Sequence, residues 1–236
     1  MNTVIMLSLH WQLKAIIWDL DGTILNSFWP GFEALKKIML KNGLPTTTFV
    51  EKRLFNAWGK SSVEVISEGY NLTLQTAQKI AVEWEAAPRA LNGEIKLFPG
   101  VKELLCFSQK SGLVNCLFTS REQPNGNSIL LRNKVEKNFS FVWETGDKSP
   151  EFRKPHKAAL VPTLDYLLRY HGIKPQECLL VGDTVTDMET GKNAKLGDTV
   201  LVKGGPSQDL PENFLPACNI LNSVKELRGW LEIRVK

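Results

Sequence analysis

The chain has 236 residues, 43% of them hydrophobic, and its 29 Lys and Arg against 25 Asp and Glu leave a formal net charge of +4. That length holds one good core, or one core with a small accessory domain. The charge excess is mild and scattered, which argues against a nucleic acid partner, and no apolar run reaches membrane-spanning length. The four cysteines, Cys106, Cys116, Cys178 and Cys218, are far apart and lack metal-ligand spacing. Cys116 and Cys178 lie inside apolar runs and read as buried small hydrophobes, so a reduced, cytoplasmic setting is expected. Val4 to Leu7 is apolar but short, with no Lys or Arg before it, so a signal peptide is not expected. Residues before about Lys14 read as a loosely packed extension.

Ala15-Ile16-Ile17 reads as a buried strand that stops at Trp18-Asp19-Leu20-Asp21-Gly22-Thr23. Carboxylates at the tip of a core strand are expensive to desolvate and serve no packing purpose. The carboxyl ends of parallel strands are, however, where α/β sheets bind ligands. Two acids there suit a hard, oxygen-preferring cation such as Mg2+, and a carboxylate is also a competent nucleophile.

The pattern then turns helical. Phe32, Leu35, Ile38 and Met39 recur at helix spacing after Pro30, until Gly43 and Pro45 stop the run. Further helices are expected over Phe49 to Trp58, within Ser62 to Glu68, and after a Thr73 cap with Leu74, Ala77, Ala81 and Trp84 on one face, closed by Pro88. Strand and helix alternate from there, the mark of a parallel sheet with crossovers. A helix with Val101, Leu104 and Leu105 opens at Pro99-Gly100, and the strand Leu113 to Phe118 ends in Thr119-Ser120-Arg121. A helix over Asn127 to Lys137 and a strand over Phe139 to Trp143 precede a polar loop, Thr145 to Pro155. An apolar stripe of Leu160, Val161, Leu164, Leu167 and Leu168 predicts the next helix. The strand Cys178 to Val181 leads into Gly182-Asp183, a short helix from about Asp187 to Lys195, and a strand over Thr199 to Val202. A short strand near Ile220 and a helix from Ser223 to Leu231 complete the chain.

Taken singly, the polar residues at the strand ends have ordinary explanations. Thr119 suits a turn, Arg153-Lys154-Pro155-His156-Lys157 a solvated basic loop, and Asp183 with Asp187 a helix cap. Taken in order, the Asp-x-Asp-Gly-Thr string, the Thr, the Lys and the Gly-Asp-x-x-x-Asp resemble the four motifs of the haloacid dehalogenase-like superfamily. The resemblance runs from Lys14 onward. Its length and the position of the helical insert are similar to the subgroup that contains phosphoglycolate phosphatase and β-phosphoglucomutase.

The resemblance implies an α/β fold, a doubly wound parallel sheet with an inserted helical cap. Residues 1–27 and 95–236 would form the core and 28–94 the cap. It implies a Mg2+-dependent phosphatase for a small phosphate monoester, with Asp19 as nucleophile and Asp21 as the acid and base at the leaving oxygen. Mg2+ would be held by Asp19, the Asp21 carbonyl and Asp183, with Asp187 behind, through water or Lys154. Thr119, Ser120 and Lys154 would bind the phosphoryl oxygens. Haloacid dehalogenases lack the second Asp, so its presence favours phosphate chemistry. The chain departs from the pattern at His156-Lys157-Ala158, where relatives often carry Pro and Asp, and at Gly191 and Lys195, where they often carry alanines. His10, His156 and His171 lack metal spacing. Asn56 to Ser62 resembles the cap loop that meets the leaving group, with Trp58 anchoring it and Lys60 expected to point toward the aspartates. A β-phosphoglucomutase-like mutase and a non-catalytic binding protein on the same fold are the rival readings. The partner expected is a small phosphorylated metabolite, with no nucleic acid and no membrane.

Overall fold

The computed structural model describes residues 12–90, 95–146, 148–205 and 219–235, with side chains at all but residues 88–90. Of the extension expected before Lys14, residues 1–11 lie outside the described residues, as do His10 and Cys218, while Leu13 is buried in the core rather than loosely packed. Six parallel strands form one sheet: β1 (Ala15–Trp18), β2 (Val114–Thr119), β3 (Phe141–Glu144), β4 (Cys178–Gly182), β5 (Asp198–Val202) and β6 (Asn219–Leu221). Their order is β3-β2-β1-β4-β5-β6. The chain winds outward from β1 to one edge and then, from β4, to the other, so the sheet is doubly wound. Trp18, the last residue of β1, pairs with Leu117 on one side and Val181 on the other. The tips of β1, β2 and β4 therefore stand side by side at the point where the winding reverses, the place such sheets bind ligands.

Four helices follow β1 ahead of the crossover helix that leads into β2: α1 (Phe28–Lys41), α2 (Thr48–Ala57), α3 (Ser62–Tyr70) and α4 (Leu74–Ala90). They bury a cluster of their own, built from Phe32, Leu35 and Met39 of α1, Leu54 of α2, Val65 and Ile66 of α3, and Ala77 and Ala81 of α4. An aromatic group adds to it, with the Phe28 and Phe32 rings stacked at 5.9 Å and Trp58 edge-on to Phe28 at 4.7 Å. The start of α3 is fixed by a reciprocal cap between Ser61 and Glu64.

Alternate strand residues enter opposite faces of the sheet, as the pleat demands. Ile16, Trp18, Leu117, Leu179 and Val181 pack with α5 (Val101–Lys110), α6 (Asn125–Asn133) and α9 (Leu227–Glu232). Ala15, Ile17, Cys116, Phe118, Cys178 and Leu180 face the other way, toward α7 (Val161–His171). The last helix of the sheet layers, α8 (Val185–Asn193), follows β4. Both strand cysteines are buried and free, as expected, while Cys106 is exposed. Burial pushes the Cys178 thiol up to about 12, so it stays protonated.

Several expected details differ. The fourth helix does not close at Pro88 but runs to Ala90, since the proline φ is a helical one and its cost is one hydrogen bond. Leu74 is 63% exposed rather than on the apolar face, because it opens the first turn of α4, and Ile80 takes that face instead. Val161 and Leu168 are each 52% exposed, so the buried stripe before β4 is narrower than the apolar letters suggest. The helix expected over Asn127 to Lys137 starts at Asn125 and ends at Asn133. Lys134 then turns left-handed, at φ 57°, and delivers buried Val135 to the core.

Phe32 is 1% exposed and meets Phe28, Trp29, Phe55 and Trp58. Phe32→Ala should cost about 3–5 kcal/mol of stability, as a cavity is left among rings that cannot collapse into it. Urea unfolding of the two proteins measures this, and a loss well under 1 kcal/mol would show that the helical module does not share the cooperative transition.

Candidate active site

Asp19 stands one residue past β1, with its amide donating to the Val181 carbonyl at 2.9 Å. The chain then turns sharply at Gly22, whose φ is +82°. Asp183 stands one residue past β4 and is fully buried. A side chain at Gly22 would run into the Asp183 carboxylate, and so would one at Gly205, so backbone packs against this acid from two directions. Asp187 sits in the first turn of α8, where its Oδ2 accepts from the Thr184 hydroxyl at 2.5 Å and the Thr184 amide at 3.1 Å. Its Oδ1 accepts from Lys154 at 2.6 Å. Asp187 is therefore both a helix cap and a member of the site.

Lys154 comes from the polar loop after β3 and is 5% exposed, with its ammonium 2.5 Å from Asp19 Oδ1 and 4.7 Å above the Phe118 ring. Thr23 donates toward Asp19 Oδ2 at 3.1 Å and lies 3.3 Å from Asp183 Oδ1. Burial lowers the Lys154 pKa, but Asp187 and Asp19 outweigh it and hold the ammonium above its ordinary value. Burial pushes Asp19 up to about 7 against the pull of Lys154. Asp183 is pushed well above the usual carboxylate range, by burial first and then by the charges of Asp19 and Asp187. Its Oδ2 has no hydrogen-bond partner.

A buried acid with an orphaned oxygen is costly unless something fills the place of the partner. Asp19, Asp183 and Asp187 each offer an oxygen within 4.8 Å of the others. Oxygen donors and a surplus of negative charge fit a hard divalent cation. Among the described residues His156 instead accepts from the Ala158 amide, and His171 contacts Tyr166, so neither joins the group.

Asp21 faces away from Lys154. Arg121, two residues past β2, grips it with Nε to Oδ2 at 2.7 Å and Nη2 to Oδ1 at 2.6 Å, while the Ser27 hydroxyl gives a third bond at 2.6 Å. Burial raises the Asp21 pKa, but Arg121 and Ser27 overcome it and hold the carboxyl below its usual range. Neither Arg121 nor Ser27 was legible as a site residue in the sequence. Both lie in the turns that follow strands carrying motif residues, the one signal that marks them. Thr119 is buried at the end of β2, and its hydroxyl accepts from the Arg121 amide at 3.3 Å.

The Ser120 hydroxyl donates to the Gly59 carbonyl at 2.9 Å and so ties β2 to the loop between α2 and α3. Gly59 has φ +93°, and a side chain there would strike Thr184. Trp58 anchors the loop as expected, with Trp84 at 5.5 Å. Lys60 does not point its charge at the aspartates. Its ammonium is 2.8 and 2.9 Å from the two Glu68 oxygens, because α3 presents that acid nearby while Asp19 and Asp21 already hold cations. The side chain of Lys60 still lines a cavity of about 170 Å3 shared with Asp19, Asp21, Arg121 and Trp58.

The chain resembles known proteins in sequence and in fold. The model of the haloacid dehalogenase-like hydrolase family matches residues 16–201. A phosphoglycolate phosphatase of Vibrio vulnificus (strain YJ016) is 28% identical over 192 residues, covering 78% of this chain and 81% of its own. One from Photorhabdus laumondii is 28% identical over 183 residues, covering 75% and 74%. Among solved structures, a hydrolase from Pseudomonas syringae superposes with a TM-score of 0.77 at 22% identity, over 94% of this chain and all of its own. The β-phosphoglucomutase of Clostridium difficile gives 0.74 at 20%, over 95% and 97%. At such identities the structural likeness speaks for the fold alone.

The raised acids carry a stability consequence in metal-free protein. Unfolded, Asp19 and Asp183 release protons near their ordinary value of 3.8, whereas folded Asp19 holds its proton to about 7 and Asp183 is raised too. The contribution of these two acids to folded stability is then largest below about pH 4 and falls as pH rises toward about 7. Asp21, shifted the other way, contributes fully above its ordinary 3.8 and does not oppose the trend in that window. Asp183→Asn, in chelator, should therefore gain progressively on the parent chain as pH rises above about 4, by about 1–3 kcal/mol. Calorimetry across that range tests it. A difference that stays flat with pH would show that Asp183 is not buried as an uncompensated charge.

Proposed function

The chain belongs to the haloacid dehalogenase-like hydrolases, and we propose that it is a Mg2+-dependent phosphatase acting on a small phosphate monoester through an aspartyl phosphate. The observation that carries this reading is the pairing of Asp19, aligned by Lys154 and Thr23, with the orphaned Asp183 oxygen beside it. A nucleophile and an oxygen fit to ligate a cation stand together on one cavity. The similarity to phosphoglycolate phosphatases, at 28% identity, supports phosphate chemistry as well. A volume of about 170 Å3, against roughly 300–1,000 Å3 for drug-sized ligand pockets, favours a small phosphorylated metabolite.

Asp19 attacks phosphorus as the bond to the leaving oxygen breaks, and Asp21, once it has taken up a proton from solvent, gives it to that oxygen. Water then attacks the phosphoryl group, Asp21 takes the proton back, and Asp19 is released with inorganic phosphate. Lys154 and the turn at Thr119 and Ser120 bind the phosphoryl oxygens. Asp19, the Asp21 carbonyl and Asp183 would hold Mg2+, with Asp187 behind, positioned by Lys154. Mg2+ would supply the charge neutralisation that phosphoryl transfer needs, since carboxylates alone repel the substrate. Residues 28–94 act as a cap over the core made of 1–27 and 95–236, and enclosing the substrate keeps bulk water out.

Asp19→Asn should reduce turnover to background, because an amide cannot form the acyl phosphate, with folding retained by circular dichroism. Asp183→Asn should raise the Mg2+ needed for half-maximal rate by about tenfold or more. A screen of phosphorylated metabolites with Mg2+ and with chelator makes the test, and full activity in Asp19→Asn or in chelator would sink the mechanism. Hydrolysis should need no bisphosphorylated sugar as primer. If a hexose phosphate is isomerised only with such a primer, the mutase reading replaces this one.

A further inference from the structure

Asp21 is the group that must meet the leaving oxygen, yet both its oxygens are taken. Three donors converge on it: two from the Arg121 fork and one from Ser27. The Asp21 and Arg121 side chains are 30% and 21% exposed and both border the cavity. We propose that Arg121 reads the leaving portion of the substrate, covering Asp21 until a second anionic group on that portion draws the guanidinium away. The inference rests on the phosphatase reading above and names the substrate class, a phosphate monoester whose leaving portion carries a carboxylate or a phosphate.

The physical argument is one of exchange. A planar guanidinium binds carboxylate and phosphate through the same paired geometry, so a substrate anion can replace Asp21 with no net loss of charge-assisted bonds. A neutral leaving group offers no replacement, and uncovering Asp21 then costs a partly buried cation its paired bonds, with only the charges of Asp19 and Glu144 left to act on it. The same substrate anion is therefore bound and made the condition for freeing the acid. The rest of the cavity wall is consistent with this selectivity. Lys60 borders it too, but two bonds to Glu68 engage its ammonium, whereas Arg121 lines the cavity and bonds Asp21 directly. Ser120, the residue before Arg121, is bonded to Gly59, so the turn that carries the guanidinium is itself braced by the helical module. Arg121 is a specificity-determining residue that acts on the chemistry by positioning Asp21.

Three substrates with matched primary leaving groups test this: ethyl phosphate, carboxymethyl phosphate (phosphoglycolate) and 1,2-ethanediol bisphosphate, each assayed with Mg2+. With the parent chain, one or both anionic substrates should exceed ethyl phosphate in kcat/KM by roughly ten- to hundredfold, with part of the gain in kcat. Which of the two gains more tells carboxylate from phosphate. In Arg121→Ala the preference should collapse, through a fall on the anionic substrates and a rise on ethyl phosphate as Asp21 is uncovered. Added acetate should speed ethyl phosphate hydrolysis by the parent chain but not by Arg121→Ala. If that variant fails to fold, Arg121→Lys, which keeps the charge and loses the fork, should show a reduced preference in the same direction. A preference that survives substitution, an equal loss on all three substrates, or a loss confined to KM would overturn the proposal while leaving the phosphatase reading intact. Hydrolysis of none of the three by the parent chain would overturn both.

Discussion

The burial of Lys154 between Asp19 and Asp187 is the contact on which the site depends. An ammonium that is 5% exposed would cost several kcal/mol if unpaired, and two carboxylates within 2.6 Å compensate it. The compensation runs both ways, since neither acid would tolerate that depth without the lysine. It also leaves a remainder. Two acids against one ammonium give one negative charge, and Asp183 adds another with an oxygen that bonds to nothing. Burial first, and then this remainder of negative charge, press Asp19 and Asp183 upward.

The sheet order makes the cluster possible. Asp19, Thr119 and Asp183 are 100 and 64 residues apart in the chain, yet each follows or ends a strand, and β1 is hydrogen-bonded to β2 and β4. Register does the rest, because Leu117 and Val181 are both level with Trp18. The helix that follows β4 adds Asp187 by using it as a cap, which ties the acid's position to the start of α8 and the lysine's position to the acid. Close packing is required on the remaining side of Asp183, and glycines at 22 and 205 permit it. The second of these went unremarked in the sequence, because a lone Gly-Gly after a strand reads as a turn.

The strands, their order of appearance and the motif acids were legible because each signal is local. An apolar run ending in Asp says buried strand with a polar tip, without reference to anything distant. The helical stripe before β4 was less so: Leu160 and Leu167 are buried, but Val161 and Leu168 are apolar and exposed, and spacing alone does not say where a packed face ends. Side-chain partners were least legible. Lys60 sits by the cavity as expected, yet whether its ammonium turns inward depends on Glu68 eight residues on and on cations already held by Asp19 and Asp21. Arg121 is the converse case, an unremarkable letter after a strand until folding brings Asp21 within reach across 100 residues.

The contacts between the helical module and the sheet fall on residues that adjoin the chemistry in sequence. Ser120, which holds the Gly59 carbonyl, lies between Thr119 and Arg121. Thr184, against which Gly59 packs without a side chain, follows Asp183 and caps the helix that carries Asp187. A loop of the module thus rests on two turns that each carry a site residue on either side. Moving that loop by an ångström shifts the walls of the cavity and the groups at its floor together, since a close-packed contact transmits displacement rather than absorbing it. On the phosphatase reading proposed above, enclosure and alignment would be one mechanical event, and a leaving group that fails to fill the space beneath the loop would fail to align the acid as well.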